Sequence, residues 1–469
     1  MPYMKIDDKI INQLSKILQT RTRVIQEPEI LENYAHDETP LYHSMPEVVI
    51  KPETTKEVSE IVKLGYEYNI PITPRGGGTS LSAGAVPLFG GIVLSFERMD
   101  KIKEVDQKNL TVTTEPGIIT EKLDQELKKY NLFFPPDPVS LDSCTIGGNI
   151  AECAGGPRAM KYGVTRNYVL GLEIVAGTGE IIKLGGKLLK NVTGYDLINL
   201  IVGSEGTLAI VTQAILKLLP RPRVVVDLLI PFPLVSSAVE FAITTISQAP
   251  QVAAIEFIEG DVIRLLGRFL KKRLPYPEAG AHIIVEIDGD CQTEVRRIYE
   301  NVGDIALKNS ALDVLVAEGE KDKERIWEPR RNIGDALKEL TKNIAREDLV
   351  VPKDRVPQLI KEIKAMLKSY NAQLYAFGHL GDGNIHTDIG IEKGQKINRS
   401  KVNEIRKNVY KIALNLGGTI TAEHGIGLSK IAYLPMAIAE TNLQIMKEIK
   451  RIFDPKNILN PGKIFQNNH

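Results

Sequence analysis

Three consecutive glycines at 76–78, within PRGGGTSLSAGAVP (74–87), and a second glycine-dense stretch, SCTIGGNIAECAGGPRAMKYG (143–163), constrain this chain more than any other feature. Runs of this kind do not continue helix or strand interiors, and they let backbone approach a neighbour or a ligand closely. Amide groups, with the hydroxyls of Thr79 and Ser80 beside them, can then surround an anion. One such cluster reads equally well as turn architecture; two in one domain shift the reading toward a pyrophosphate cradle. Neither is a G-x-G-x-x-G or P-loop motif, and neither motif occurs elsewhere in the chain.

From Met45 to about Leu219, strand-like pieces such as PEVVI, GIVLSF, LTVTTEPG and LGLEIVAG alternate with short amphipathic stretches such as TKEVSEIVKLGYEYN, the pattern of an α+β domain with many tight turns. PRPR at 220–223 is a natural boundary, because closely spaced prolines interrupt helix and ladder alike. Beyond it, strand candidates VVVDLLI, AHIIVEIDG, LDVLVA, LYAFGHL and NIHTDIGI alternate with helical patterns SSAVEFAITTISQ, TEVRRIYENVGDIALKN and VPQLIKEIKAMLKSY. That alternation predicts an antiparallel sheet covered by helices. The expected organisation is a helical segment at 1–42, a first domain at 43–222, and a second at 223–469 whose tail returns to the first. The opening helix is placed from about Asp7, with Ile10, Ile11, Leu14, Ile17 and Leu18 on one face. A last amphipathic helix stops at Asp454-Pro455.

With 59 basic and 59 acidic residues the formal charge is +0, so no global field draws the chain to nucleic acid or an anionic membrane. Cys144, Cys153 and Cys291 include no C-x-x-C pair, which supports neither a disulfide framework nor an internal iron–sulfur cluster and fits a reducing cytoplasm. The start lacks an apolar core of signal-peptide type, so no export signal is expected. The most apolar stretch, 224–246, is interrupted by Asp227, Pro231, Pro233 and Glu240, short of the ~20 apolar residues of a transmembrane span.

GHLGDGNIH at 378–386 places two of the 7 histidines symmetrically about Asp382-Gly383. A two-residue type I′ turn there would pair Gly381 with Asn384, Leu380 with Ile385 and His379 with His386. The two imidazoles would then face each other with Cβ atoms about 5 Å apart, close enough to share a metal ion. A lone histidine is more often a packed residue than a ligand; two opposed histidines weaken that alternative. AEHGIG at 422–427 adds Glu423, next to His424, as the obvious third ligand. Two imidazoles and one carboxylate leave coordination positions open, a catalytic rather than a structural pattern. In IWEPRRNIGDALKEL, Pro329 at a helix N1 position would place Arg330 in the first turn, where it could clamp a carboxylate; the other reading of Arg330-Arg331 is a solvated helix face.

PRGGGTS, EPG at 115–117, PPDP at 135–138, TIGGNIAECAGG, KNVTGYDLINL at 190–200 and VGSEGTLAIVT at 202–212 together resemble the FAD-binding domain of the vanillyl-alcohol oxidase (PCMH) superfamily. The branch that fits best contains D-lactate dehydrogenases, D-2-hydroxyglutarate dehydrogenases and the flavin subunit of glycolate oxidase. The resemblance implies an α+β fold, with an FAD-binding domain followed by an α+β cap domain whose antiparallel sheet is covered by helices. It implies FAD contacts from Pro74, Arg75, Gly76, Gly77, Gly78, Thr79, Ser80, Gly84 and Ala85, and from Pro135, Asp137, Ser143, Cys144, Thr145, Gly147, Gly148, Asn149 and Ala151. Gly156, Tyr162, Gly163, Ile210 and Asn460 complete that set. Glu152-Cys153 stands where relatives commonly have Thr-Asn. No histidine lies between His43 and His282, which excludes a histidyl flavin link from the first glycine loop; Cys144 is the remaining candidate for attachment, but relatives carry a cysteine there without a covalent bond, and non-covalent FAD is expected.

The same resemblance implies a divalent metal, zinc or a similar ion, on His379, His386 and Glu423, with Arg330 on the substrate carboxylate. His424 is the candidate base, because the other two histidines would have their lone pairs on metal. Oxidation of a 2-hydroxy acid needs removal of the hydroxyl proton and delivery of the α-hydrogen as hydride to flavin. D-2-hydroxyglutarate enzymes differ at Gly334, Arg346 and Asp388, and Arg346 and Asp388 are candidate substrate-binding residues; an acid at Asp388, on the strand face of His386, would repel a second carboxylate, while Arg346 could pair with one. The expected activity is therefore that of a D-lactate-like, FAD-dependent D-2-hydroxyacid dehydrogenase. Alternatives are D-2-hydroxyglutarate or glycolate dehydrogenase, a flavin transferase like alkylglycerone-phosphate synthase, and an accessory flavin subunit. Expected partners are the small hydroxy acid and an external acceptor: a quinone, an electron-transfer flavoprotein or an iron–sulfur subunit. No nucleic acid is expected; homodimerisation and peripheral attachment to a membrane are left open.

Overall fold

The computed structural model describes residues 3–40 and 42–465. The chain divides into two compact units. One comprises Met1–Gly155, Val164–Arg221 and Glu423–His469, and the other Gly156–Gly163 and Pro222–Ala422. Relative to the organisation expected from sequence, eight residues of the second glycine stretch belong to the later unit. The N-terminal helix and everything from Glu423 onward belong to the earlier one.

In the first unit, helix Asp8–Ile17 starts where Asp7 accepts the Ile10 amide (2.9 Å), an N-cap of the kind that contributes about 1 kcal/mol. Its Ile10, Ile11 and Leu14 enter one core with Val58, Ile61 and Val62 of helix Thr55–Tyr68 and with strands Val48–Ile50, Ile72–Arg75 and Ile92–Ser95. These three strands run parallel, with Val24–Ile25 added antiparallel at the edge. The returning C-terminal segment bonds along the strand that feeds the first glycine loop: Ile72 N donates to Ile458 O and Asn460 N to Ile72 O, both at 2.7 Å. A second, antiparallel sheet of five strands runs in the order 102–106, 111–114, 209–217, 169–176, 181–185.

The second unit is built on one seven-stranded antiparallel sheet, in the order Leu315–Ala317, Val224–Phe232, Ala281–Gly289, Val252–Glu259, Gln373–His379, Asn384–Ile391, Lys342–Val350. Two of these strands, Val252–Glu259 and Lys342–Val350, escape the sequence reading. The first is buried at all eight positions, so it shows no alternation of apolar and polar residues. Directly opposed residues share a sheet face. Leu229, Ile284, Ile258, Tyr375 and Phe377 thus lie on the Glu256 face, where they form an apolar core with helices Gly260–Phe269, Glu320–Arg331 and Ile333–Leu340. The rest of that face carries the polar residues described next.

No helix among the described residues is long and apolar enough to cross a membrane.

Candidate active site

The two glycine stretches meet inside the first unit. A Cβ on Gly76 would stand 2.2 Å from Thr145 Oγ1, and one on Gly77 2.1 Å from the Ser143 carbonyl oxygen, so the loop lies on the 143–148 segment at a distance no side chain permits. Thr145 caps helix Ile146–Glu152 by accepting the Gly148 amide. The amides of Gly76, Gly77, Gly78 and Thr79 donate to no acceptor among the described residues. Consecutive open donors on a glycine loop, beside Ser80 and Thr145, suit the pyrophosphate of a dinucleotide such as FAD. Ser80 Oγ braces the next turn by accepting Gly84 N (3.1 Å), and Asp37 accepts Ala85 N (3.3 Å). Asn460 ties the C-terminal segment in through its side-chain amide, on Gly84 O (3.0 Å) and Glu205 O (2.8 Å). Asn149 donates to Thr120 (2.8 Å), and Ala151 O accepts Glu205 N (2.8 Å).

Other residues of the sequence-derived set sit differently. Arg75 folds its guanidinium back onto the carbonyls of His36 (2.7 Å) and Asn33 (3.2 Å) and over the Tyr34 ring, bracing the loop from behind. Ile210 is part of the apolar core. Pro135 is buried and Asp137 half-buried, and the Ser143 hydroxyl donates to Asp142 (2.8 Å). Cys144 is buried with Thr120 Oγ1 3.2 Å from its sulfur; burial pushes the thiol up, away from the thiolate that could attach a flavin. Gly156, Tyr162 and Gly163 belong to the second unit, where Tyr162 donates to Asp288 (2.7 Å). Glu423 and His424 follow Ala422 into the first unit, with His424 Nε2 3.8 Å from Glu423 Oε1. The loop that carries them is held by Glu205, which accepts the amides of Ile426 and Gly427, each at 2.7 Å. Nothing in the sequence pattern marks Glu205 for that task.

In the second unit, the His379–His386 hairpin has a register other than the expected one. His379 opposes Asn384, and His386 opposes Phe377. A type I′ turn needs left-handed backbone at both central residues. Here Gly383 has φ +88 but Asp382 is not left-handed; its carboxylate instead accepts the Asn384 amide (3.0 Å) and Gly383 N reaches back to His379 O (3.1 Å). The loop is therefore Leu380–Gly383, four residues long. The imidazoles still meet, as diagonal rather than direct neighbours, with ring centroids 5.3 Å apart and planes at 85°.

Each imidazole has a buried carboxylate on the strand beside it. Glu256, opposite His379 in the register, touches His379 Nδ1 at 2.5 Å. Asp348, opposite His386, lies 3.5 Å from its Nδ1. Asp348 is also a hub, accepting from Asn384 Nδ2 (2.7 Å), Thr421 Oγ1 (3.1 Å) and the Ala422 amide (2.9 Å), one residue before Glu423. At His379 the carboxylate on Nδ1 fixes the tautomer and aims Nε2, the arrangement that supports a metal-binding histidine, whereas Asp348 stands beside His386 Nδ1 at an ion-pair distance without a hydrogen bond.

Arg330 corrects a second expectation. Pro329 lies inside helix Glu320–Arg331 and Arg330 in its last turn, where the helix dipole favours the cation itself rather than a bound anion. The residue is only 6% exposed, with Nε on Glu256 Oε2 (2.9 Å) and the guanidinium over Phe377. Burial alone would raise the Glu256 pKa, but His379 and Arg330 outweigh it and hold the carboxyl below its usual value. Arg346 faces Asp388 across the ladder and donates to it (3.1 Å), as does Asn343 (2.7 Å). Asp388 is thus a paired carboxylate, not the open negative charge inferred from sequence.

Family models match both parts of the chain: "FAD binding domain" over residues 46–185 and "FAD linked oxidases, C-terminal domain" over residues 221–464. Among curated relatives, glycolate oxidase subunit GlcD of Bacillus subtilis is 41% identical over 432 residues, covering 92% of each chain. A D-lactate dehydrogenase of Anaerostipes hadrus is 37% identical over 478 residues, 98% of each. A D-2-hydroxyglutarate dehydrogenase of Stutzerimonas stutzeri is 30% identical over 469 residues, 98% of this chain and 99% of its own. Among solved structures, 4-ethylphenol oxidase from Gulosibacter chungangensis superposes with a TM-score of 0.79 at 18% identity, over 100% of this chain and 99% of that one. p-Cresol methylhydroxylase gives 0.76 at 16%, over 98% and 97%. The fold is thus α+β, an FAD-binding domain of the PCMH type with a C-terminal cap domain, as the sequence motifs imply.

Proposed function

The chain belongs to the FAD-linked oxidase family, and on that premise we propose that it oxidises a short D-2-hydroxy acid, D-lactate-like, to the 2-oxo acid. Arg330 carries this reading. Its Nη2 is buried and donates to nothing among the described residues, while Nε is spent on Glu256. A buried guanidinium with an open donor is a receptor for a carboxylate.

Gly76–Ser80, Ser143–Asn149 and Asn460 would hold FAD, and His379, His386 and Glu423 a divalent ion such as zinc. When bound, the flavin accepts the substrate's α-hydrogen as hydride and the metal lowers the pKa of its hydroxyl. Arg330 fixes the carboxylate and so presents one face of C2. Glu256 holds His379 in the tautomer that leaves its Nε2 lone pair for the metal, and Asp348 lies beside His386. His424 takes the hydroxyl proton. Asp388 engages Arg346 through Nε (3.1 Å) and so takes up part of the charge that a distal carboxylate would need, which favours a monocarboxylic acid over D-2-hydroxyglutarate. Electrons leave to a quinone, an electron-transfer flavoprotein or an iron–sulfur subunit.

The test is anaerobic. The purified chain is mixed with D-lactate, L-lactate, glycolate or D-2-hydroxyglutarate, with and without prior chelation, and its visible flavin bands are followed. Bleaching by D-lactate that is lost on chelation and regained with zinc or manganese is expected. Bound flavin that no hydroxy acid bleaches, metal-loaded or not, would overturn the reading.

A further inference from the structure

We propose that Gly156–Gly163 is a positioning arm for the turn between His379 and Asn384, with Met160 as the residue that sets it; the inference rests on the function proposed above, since those strands carry the ligand histidines. The arm leaves the cradle-forming helix just after Glu152 yet belongs to the second unit.

Three of its side chains anchor it on one strand. Arg158 grips Glu286 through Nε (2.6 Å) and Nη2 (3.2 Å), and Asp288 accepts from both Tyr162 (2.7 Å) and Lys161. Both carboxylates are buried. Charge-assisted and bidentate bonds of this kind hold a segment in one geometry. Tyr162 is therefore an anchor; burial and then Asp288 raise its pKa, keeping the phenol a donor.

Anchoring places Met160 on the turn. A Cβ added to Gly381 would stand 2.3 Å from Met160 Sδ and 3.1 Å from its Cγ, so Met160 covers the bare Cα. From the other side, Gly381 N donates to Ile255 O (3.1 Å), the residue before Glu256. The turn is clamped between the Ile255 backbone and Met160. Its first strand residue, His379, is thereby kept on the Glu256 carboxylate.

The test is a double-mutant cycle of Met160→Ala and Gly381→Ala in the flavin-loaded full chain, with flavin bands as a control that the first unit is intact. Amide hydrogen exchange over 379–384 is measured alongside KM and kcat for D-lactate. Because Sδ and Cγ are the movable end of Met160, G381A should speed exchange and raise KM by about threefold, with kcat changing less, and the double variant should regain most of both. The conservative Met160→Leu should retain protection and KM. The proposal fails if G381A leaves exchange unchanged, or if M160A does not relieve its effect. Should the parent chain oxidise no hydroxy acid, the functional reading falls, while exchange in the same four proteins still decides for or against the arm.

Discussion

The candidate cofactor cradle and the polar face of the cap sheet are built by opposite means. The cradle is made of backbone. Its loops, Gly76–Thr79 and Ser143–Gly148, are short contiguous stretches whose function depends on the absence of side chains. The cap site is made of side chains. Glu256, Arg330, Asp348, His379 and His386 come from four strands and a helix, and each is placed by its opposite number in the ladder or by a single ion pair. Backbone sites tolerate changes of side-chain chemistry but not an added Cβ. Side-chain sites tolerate nearby bulk better than loss of one charge, because a buried partner is then left uncompensated.

The sharpest way to break this comparison is Gly77→Ala. Its methyl would meet the Ser143 carbonyl at 2.1 Å, a backbone atom that cannot swing aside. The protein is expected to purify without its visible flavin bands while the cap remains folded. An FAD affinity within about threefold of the parent, by calorimetry on deflavinated protein, would show that the loop does not approach in this way. The complementary change, Glu256→Gln, should leave the flavin bound and damage the other site. It uncouples Arg330 and His379 together. A cost of about 3–5 kcal/mol is expected in urea unfolding, with metal affinity about 10–100-fold weaker in chelator competition. Unchanged metal affinity would mean that Glu256 does not orient His379 as a ligand.

The same contrast decides what could be read from the sequence. The junction of the two glycine stretches is legible because its signal is local: GGG and TIGGN are contiguous, and their close approach follows from what they lack. His379, His386 and Arg330 stand out in the sequence as candidates, but their geometry does not follow from it. The turn that sets the hairpin register is decided by the Asp382 carboxylate bonding to Asn384 N. The carboxylates beside both imidazoles are hidden in the sequence along with the strands that carry them. Glu256 lies in a strand buried on both faces, and Asp348 in KNIAREDLV, whose charged residues hide the strand. Their pairing with histidines is a matter of register across 123 and 38 residues of chain, respectively, for which no local pattern exists.

The smallest effect expected, and the most local, concerns the pH response of the cap. Asp227 lies on the same sheet face, opposite Glu286, and accepts the indole N–H of Trp327 (3.0 Å), one turn before Arg330. Burial and then the Glu286 charge raise its pKa to about 7, against the favourable influence of Trp327, Lys323 and Arg158. An unfolded Asp titrates near 3.9, so between about pH 4 and 7 the folded chain binds the extra proton. Stability is therefore full below the unfolded value and declines as pH rises through about 7, by at most about 4 kcal/mol. Asp227→Asn keeps an acceptor for Trp327 and removes the titration. Trp327 is the chain's single tryptophan, so its fluorescence reports on this contact directly. The parent should show an emission change with a midpoint near pH 7 that the variant lacks, with a flatter pH dependence of the urea midpoint between pH 5 and 8. The same pH slope in both proteins would place the titrating group elsewhere and leave Asp227 ionised, held by Arg158 and Lys323.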